Sequence, residues 1–184
     1  MSIKTEFQSR TWEKGGFFIS TNPNLIPIST VIEIFDSDEF YWAKTLPLQA
    51  AQEAIDNSLS FGMYEQDPAH DLRSSTSPLK LVGMARCVTD FITFVYLTDV
   101  WVDPMYQGKG LGSWLVQCVG EALEAMPHLR RTVLFTADWE RSVPFYQKHI
   151  GMTLIESQKG EGLAVMESKG KGHPSHGFKG TGYR

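Results

Sequence analysis

A chain of 184 residues is long enough to bury one substantial hydrophobic core, so we expect a single domain. Its formal net charge of −4 argues against broad binding of nucleic acids or anionic membranes, because both depend on clustered Lys and Arg. The N-terminus has no basic-then-apolar signal, and no apolar run approaches the roughly 20 residues that span a bilayer. The sequence therefore favours a cytoplasmic location, with a nuclear one left open.

The first half of the chain predicts a short strand, then two helices, then two longer strands. In chain order we expect a strand at 17–20, a turn at 22–24, a helix from Thr30 to about Lys44, a helix from Pro47 or Leu48 to about Leu59, and strands at 61–65 and 79–88. The inward face of the first helix would carry Val31, Ile34, Phe35 and Tyr41 or Trp42. Residues 66–77 read as an exposed loop, because strand pairing should continue across them.

A strand, a glycine-rich loop and a helix follow at the centre of the chain. The apolar strand 92–102 stops at Asp103-Pro104, and apolar residues fall at helical spacing over 113–123. Between them, Gly108, Gly110 and Gly112 let the backbone approach a ligand closely. The first-turn amides of the helix have no intrahelical partner, so the segment predicts a phosphate-binding site.

The glycine spacing narrows the class of phosphate ligand. It lacks the Gly-x-Gly-x-x-Gly order of dinucleotide-binding folds and the Gly-Lys-Ser/Thr of a Walker loop. With Gln107, Gly110 and Gly112, the loop resembles the acetyl-CoA signature Gln/Arg-x-x-Gly-x-Gly/Ala of the GCN5-related N-acetyltransferase (GNAT) superfamily. A plain strand-to-helix connection is the structural alternative.

The last third of the chain carries a second resemblance. A buried strand at 132–136 is followed by 143–152, which resembles the family's helix ending in Phe-Tyr-x-Lys-x-Gly-Phe, although Trp139 or a neighbour replaces the family's frequent Asn. Strands at 152–156 and 163–167 would close the sheet. The resemblance implies a mixed α/β fold: a mostly antiparallel sheet with helices on both faces and two parallel strands splaying near Val102 and Thr136. It covers nearly the whole domain, 1–168.

The rest of the chain carries no further site. The Gly-, Lys- and His-rich residues 169–184 are expected to form a flexible tail. His173 and His176 lack a third ligand nearby, so we predict no metal. Cys87 and Cys118 lie in apolar segments and are expected to be buried free thiols.

The resemblance implies acetyl-CoA as the cofactor. Its contacts would come from the end of the central strand and from the loop, namely Val100, Trp101, Val102, Gln107, Gly108, Lys109, Gly110, Leu111, Gly112 and Ser113. An amine must lose a proton before it attacks a thioester, the oxyanion needs hydrogen-bond donors, and the departing thiolate needs an acid. We expect the backbone amide of Val100 or Val102 to serve the oxyanion.

Two side chains are the catalytic candidates. Asp99 would accept the amine proton, directly or through water, unless it caps a backbone group or pairs with Arg86. Tyr146 would protonate the thiolate, and its position resembles that of the family's tyrosine; the alternative is a half-buried tyrosine with its hydroxyl in water. His149 reads as a cation complementing a helix C-terminus.

Aromatic and charged residues predict the acceptor pocket. The candidates are Tyr41, Trp42, Phe61, Tyr64, Arg86 and Asp90, although each aromatic could instead belong to the core. Such a pocket suits a small amine or amino acid as the partner, and no nucleic acid or membrane. A protein or peptide acetyltransferase and a non-catalytic acyl-CoA sensor are the alternatives. The oligomeric state stays open, a homodimer included.

Overall fold

One mixed sheet organises the protein, which a computed structural model describes over residues 2–37, 44–66 and 79–155. Its strands are β1 (Thr11–Lys14), β2 (Phe17–Ser20), β3 (Leu59–Glu65), β4 (Lys80–Thr89), β5 (Phe94–Val102) and β6 (Arg131–Val133). They lie in chain order; β1 to β5 pair antiparallel, and β6 pairs parallel to β5. The predicted mixed α/β class, mostly antiparallel with one parallel pair, is confirmed.

Helices cover both faces of the sheet. They are α1 (Ile3–Phe7), α2 (Ile28–Phe35), α3 (Leu48–Asp56), α4 (Leu111–Glu124) and α5 (Ser142–Ile150). Leu115 and Val119 of α4 pack on one face with Phe61 of β3. Val31 of α2 and Ile55 of α3 pack on the opposite face. Alternate residues of each strand therefore enter two separate apolar clusters, as the period of a strand requires.

Several element boundaries differ from the predicted ones. The first long helix begins at Ile28, after Pro27 with its fixed φ, and ends at Phe35; Val31, Ile34 and Phe35 are buried as predicted. Leu59 belongs to β3 rather than to a helix, and the strand expected at 132–136 pairs only over 131–133.

The two ends of the chain also depart from prediction. Sequence reasoning missed α1 and β1, which are short and mostly polar. Residues 152–155 form no strand, and both 163–167 and the tail 169–184 lie outside the described residues.

A bulge interrupts β5 where it faces β4. Arg86 pairs with Thr98 and Met84 pairs with Trp101, so Asp99 and Val100 together oppose Ala85. Asp99 has φ 51°, a left-handed conformation that Asp tolerates better than most residues. The bulge shifts the pairing register of β5 just before its last two residues, Trp101 and Val102.

Candidate active site

A cleft of about 800 Å³ opens where β5 and β6 part. The two strands pair from Phe94 to Tyr96, and β6 then ends at Val133 while β5 continues to Val102. The cleft is lined by residues 96–102 of β5, most of the loop and first turn at 107–113, the segment 134–138, and Arg141, Ser142, Phe145 and Tyr146 from the start of α5. Predicted cofactor and catalytic residues from three separate segments therefore meet in one cavity.

The glycine-rich loop presents bare backbone to this cleft. Gly108 and Gly110 have φ of 77° and 75°, and a Cβ on either would meet no atom within 4 Å. Gly110 is the N-cap of α4 without a side-chain cap, and the first bond of the helix runs from the Trp114 amide to the Gly110 carbonyl. The amides of residues 111–113 precede that bond, so they suit a diphosphate at the positive end of the helix.

Three side chains that sequence reasoning missed, those of Tyr106, Glu65 and Lys80, help to anchor this loop. The Tyr106 hydroxyl donates to Glu65 Oε2 at 2.6 Å and accepts from Lys80 Nζ at 2.7 Å. Gln107 Nε2 donates to the Val102 carbonyl at 2.9 Å, which ties the loop to the end of β5. Lys109 does not line the cleft; its ammonium lies 4.8 Å from the centroid of the Tyr106 ring. No local sequence signal pairs residues so far apart along the chain.

Tyr146 reaches the cleft from α5 and packs against the core that α4 forms with the sheet. Burial raises the pKa of its phenol to about 12, so the hydroxyl keeps its proton at neutral pH. The ring lies edge-on to Phe145, with centroids 5.2 Å apart. A protonated phenol at the cleft can donate a hydrogen bond to a developing anion.

Asp99 also lines the cleft, but its carboxylate is engaged. Its Oδ2 accepts from Arg86 Nε at 2.6 Å, and the side chain is only 5% exposed. Arg86 Nη1 in turn donates to Ser58 Oγ at 3.2 Å, just before β3. The structure thus contains the Arg86 pairing that the sequence left as an alternative to proton transfer.

The backbone of β5 offers donors towards the cleft. The Asp103 amide bonds to the Val82 carbonyl of β4. Because amides alternate sides along an antiparallel strand, we expect the Val102 amide to point away from β4, where the cleft lies. The residues that line the cleft include Val100, Trp101 and Val102 themselves.

Four of the six expected acceptor-pocket residues, Phe61, Tyr64, Arg86 and Asp90, do not line this cleft. Phe61 and Tyr64 are fully buried in the two cores, against Trp12 and Phe18 respectively. The register of β3 places each ring on a face of the sheet that a core covers, and the sequence alone does not contain that register.

Asp90 has a structural role instead of a place in the cleft. It caps the turn before β5, and the Thr93 hydroxyl, followed by the backbone amides of Thr93, Ile92 and Phe94, holds the pKa of this carboxyl below its usual range. Tyr41 and Trp42 lie outside the described residues.

Aromatic residues that the sequence did not single out line the cleft. They are Tyr96, Phe135 and Phe145, and the Tyr96 and Phe135 rings lie 5.5 Å apart. Their signal in the sequence is weak, because each sits in an ordinary strand, loop or helix pattern.

Other reactive groups are confined to the core. Cys87 and Cys118 are free and buried as predicted, and burial raises the pKa of each thiol to about 12. In residues 2–37, 44–66 and 79–155 no cluster of three or more His, Cys, Asp or Glu could hold a metal ion. In the same ranges, no helix is both long and apolar enough to cross a membrane.

Comparisons with known proteins assign this chain to a family. Residues 29–152 match the model of the acetyltransferase (GNAT) family. A protein of Gibberella zeae named as a candidate acetyltransferase, FG08082, is 34% identical over 175 residues, which cover 89% of this chain and 96% of the relative. A ycf52-like N-acetyltransferase of Prochlorococcus marinus, itself uncharacterised, is 35% identical over 114 residues, covering 61% of this chain and 56% of the relative.

Solved structures agree with the sequence relatives. A GNAT-family protein of Xanthomonas campestris superposes with a TM-score of 0.57 at 31% identity, covering 77% of this chain and 87% of its own. The SP0256 protein of Streptococcus pneumoniae shares the fold alone, with a TM-score of 0.53 at 19% identity, covering 87% and 100%. The glycine loop, the splayed strands, the family match and these relatives lead to one conclusion: the chain belongs to the GNAT family of acetyltransferases, which transfer an acyl group from acyl-CoA.

Proposed function

We propose that this protein acetylates a primary amine of a small molecule, with acetyl-CoA as donor, by direct attack in a ternary complex. The observation that carries the proposal is the meeting of three groups in one cleft: the Tyr146 phenol, the bulged end of β5 and the glycine-rich loop. A sensor that only bound acyl-CoA would use the loop but would have no need of a half-buried, protonated phenol beside it.

The donor site follows from the bare backbone of the loop. Open space beside Gly108 and Gly110, together with the uncapped first turn of α4, fits a pyrophosphate. Residues 100–102, 107, 108 and 110–113 would hold the cofactor, and Lys109 would add only a solvated charge nearby. When bound, acetyl-CoA supplies an activated thioester.

The chain's own residues would then serve each part of the transfer. The amine nitrogen bonds to the thioester carbon, the C–S bond breaks, and the amine gives up one proton to water in the cleft. We assign the backbone amide of Val100 or Val102 to the oxyanion, since an oriented amide needs no reorganisation. Tyr146 gives its proton to the thiolate and is later reprotonated from solvent.

The recessed charges of the site favour a small acceptor. Arg86 and Asp99 form a mostly buried ion pair, so their charges are not displayed on the surface where a polypeptide would bind. A protein acceptor is the second candidate, because histone acetyltransferase TAP1 of Glycine max is 32% identical over 95 residues, which cover 47% of this chain and 38% of TAP1.

A panel of small amines and peptides, assayed with acetyl-CoA by thiol detection, tests this proposal. We expect thiol release with at least one small amine, with the acetylated product confirmed by mass spectrometry. Release with peptides alone would favour the second candidate. Binding of acetyl-CoA without release to any acceptor would favour the sensor.

A further inference from the structure

One aromatic ring of the cleft is left largely open to solvent. Phe135 lines the cavity and is 63% exposed, although a side chain of this type is usually covered in a folded protein. Its ring lies 5.5 Å from that of Tyr96, which is half-buried on β5. Tyr96 therefore supports Phe135 on one side, and the remaining surface of the ring is an apolar patch that a bound ligand would cover.

The Phe135 ring and the donor site lie on opposite sides of the sheet. Val95 and Leu97 of β5 pack in the core that α4 covers. Side chains alternate along a strand, so Tyr96, between these two residues, faces the other side, where Phe135 contacts it. Because the donor binds at the first turn of α4 in the proposed function, the side that Phe135 occupies remains for the acceptor.

Phe135 and the donor site share one continuous cavity. Residues 96–102 of β5 line it without a break, from Tyr96 beside Phe135 to the strand end expected to hold the cofactor. Its volume of about 800 Å³ lies within the range, roughly 300–1,000 Å³, of cavities that enclose small ligands. An acceptor that rests on Phe135 therefore has open access to a thioester at the end of β5.

The charged side chains of the cleft already have partners of opposite charge. Among the described residues of the lining, the charged ones are Asp99, Asp138 and Arg141. Asp99 bonds Arg86 at 2.6 Å, and Asp138 lies 4.0 Å from the Arg141 guanidinium and accepts a bond from its amide. An acceptor that carried a carboxylate or a second ammonium would have to disrupt one of these pairs, so the cleft favours an amine with an uncharged, apolar body.

We propose that Phe135 packs against an aromatic ring of the acceptor, so that the substrate is an arylalkylamine, a primary amine joined to an aromatic ring by a short alkyl chain. This inference rests on the proposed function and names its substrate class. Two rings packed edge-to-face or offset attract each other beyond the gain from burying apolar area. The acceptor ring covers the exposed side of Phe135, and the alkyl chain carries the amine towards the end of β5.

Two matched substrate series test the chemical class. The first holds benzylamine, 2-phenylethylamine and 3-phenylpropylamine; the second holds the three amines in which cyclohexyl replaces phenyl. Both series bury similar apolar area, so their difference isolates the contact between rings. We expect wild-type kcat/KM for the preferred phenyl amine to exceed that of its cyclohexyl counterpart about three- to tenfold. The difference should lie mainly in KM, because the ring contact is the same before and during the transfer.

Phe135→Leu tests the residue, because it keeps an apolar side chain and removes the ring. We expect the phenyl-to-cyclohexyl ratio to fall to about one, with acetyl-CoA affinity unchanged in calorimetry. The melting temperature should also stay the same, since the ring is mostly exposed. Phe94→Leu is the matched control: Phe94 is 43% exposed and precedes Tyr96 by two residues on the same face of β5, but it does not line the cleft, so the ratio should not change.

The outcomes distinguish failure of the inference from failure of the proposed function. If no small amine releases thiol although acetyl-CoA binds, the proposed function fails and the inference with it. If small amines react but the phenyl and cyclohexyl series react equally well, the proposed function stands and the inference is overturned. Weaker acetyl-CoA binding with an unchanged ratio in Phe135→Leu would place the ring in the donor site and would also overturn it.

Discussion

At the scale of single residues, the surroundings of Asp99 decide its chemistry. The carboxylate bonds a guanidinium at 2.6 Å, is almost completely buried, and belongs to a residue with φ 51°. These features support a positioning role, in which Arg86 holds the bulge through Asp99 and so orients the last amides of β5. Its role as a proton relay stays a prediction of the sequence.

Asp99→Asn distinguishes the two roles. Asn tolerates the left-handed conformation, but it leaves Arg86 without its counter-charge, which should cost roughly 1–3 kcal/mol of stability because Arg86 is not fully buried. We therefore expect a lower melting temperature and an unchanged shape of the pH profile of turnover. The control is Asp56→Asn, at a partly buried carboxylate whose side chain accepts a bond from Gln52. An unchanged melting temperature with loss of the acidic limb would instead establish the relay.

Tyr146→Phe tests the general acid. Removing the hydroxyl while keeping the ring should lower turnover on the order of 10- to 1,000-fold, with little change in acetyl-CoA affinity by calorimetry. Tyr96→Phe, on another wall of the same cleft, is the control and should retain turnover. A parallel loss of cofactor affinity would make Tyr146 a binding residue.

The pH dependence gives a second measurement of the same role. Burial raises the pKa of Tyr146 to about 12, so the phenol stays protonated over the range in which an alkylamine, with a pKa near 10.4, loses its proton. Wild-type kcat/KM should therefore rise with pH up to about 10. A descending limb near pH 8.5 that Tyr146→Phe removes would contradict this assignment.

At the scale of elements, β5, its loop and α4 form the donor site. The Gly110 conformation lets α4 start without a capping side chain, so its first amides remain for a ligand. Bonds from Tyr106 and Gln107 hold that loop against β3, β4 and β5. Three strands that are distant in the sequence therefore brace the loop.

Gly110→Asp places a carboxylate at the N-terminus of α4, where it competes with the pyrophosphate. We expect acetyl-CoA binding to be abolished in calorimetry, whereas Lys109→Ala should weaken it only modestly. Gly15→Asp is a matched control, because Gly15 also has positive φ and open space but lies in the β1–β2 turn. Unchanged affinity in folded Gly110→Asp would show that the donor binds elsewhere.

At the scale of the whole molecule, contact between α4 and α5 sets the position of Tyr146. A Cβ on Gly120 would lie 2.8 Å from Ile150 Cγ2, so a glycine allows the two helices to approach. Ile150 and Tyr146 are on the same helix and pack against the same core. The width of the cleft near the phenol therefore depends on a residue of α4 that does not line it.

Gly120→Ala tests this dependence. Alanine normally stabilises a helix interior by about 1 kcal/mol over glycine, but here the methyl must displace Ile150. We expect a lower melting temperature and reduced turnover. Gly112→Ala, whose Cβ would meet Val102 at 3.6 Å, serves as the control for stability and should not lower the melting temperature. If Gly120→Ala is as stable as Gly112→Ala and keeps full turnover, the cleft near Tyr146 does not depend on Gly120.

The sequence by itself determined the features that depend on residues close together along the chain. The strand, glycine loop and helix at the centre follow from local periodicity and backbone freedom, and so do the buried thiols. The mixed α/β class was implied by the resemblance of the glycine loop and of residues 143–152 to the family's motifs. Only the tertiary structure decided which distant groups meet. Arg86 faces Asp99, Tyr106 joins Lys80 and Glu65, and Tyr64 folds over Gly62, because strand register sets which side chains share a face. Register depends on pairing between strands, and a linear pattern of residues does not contain it.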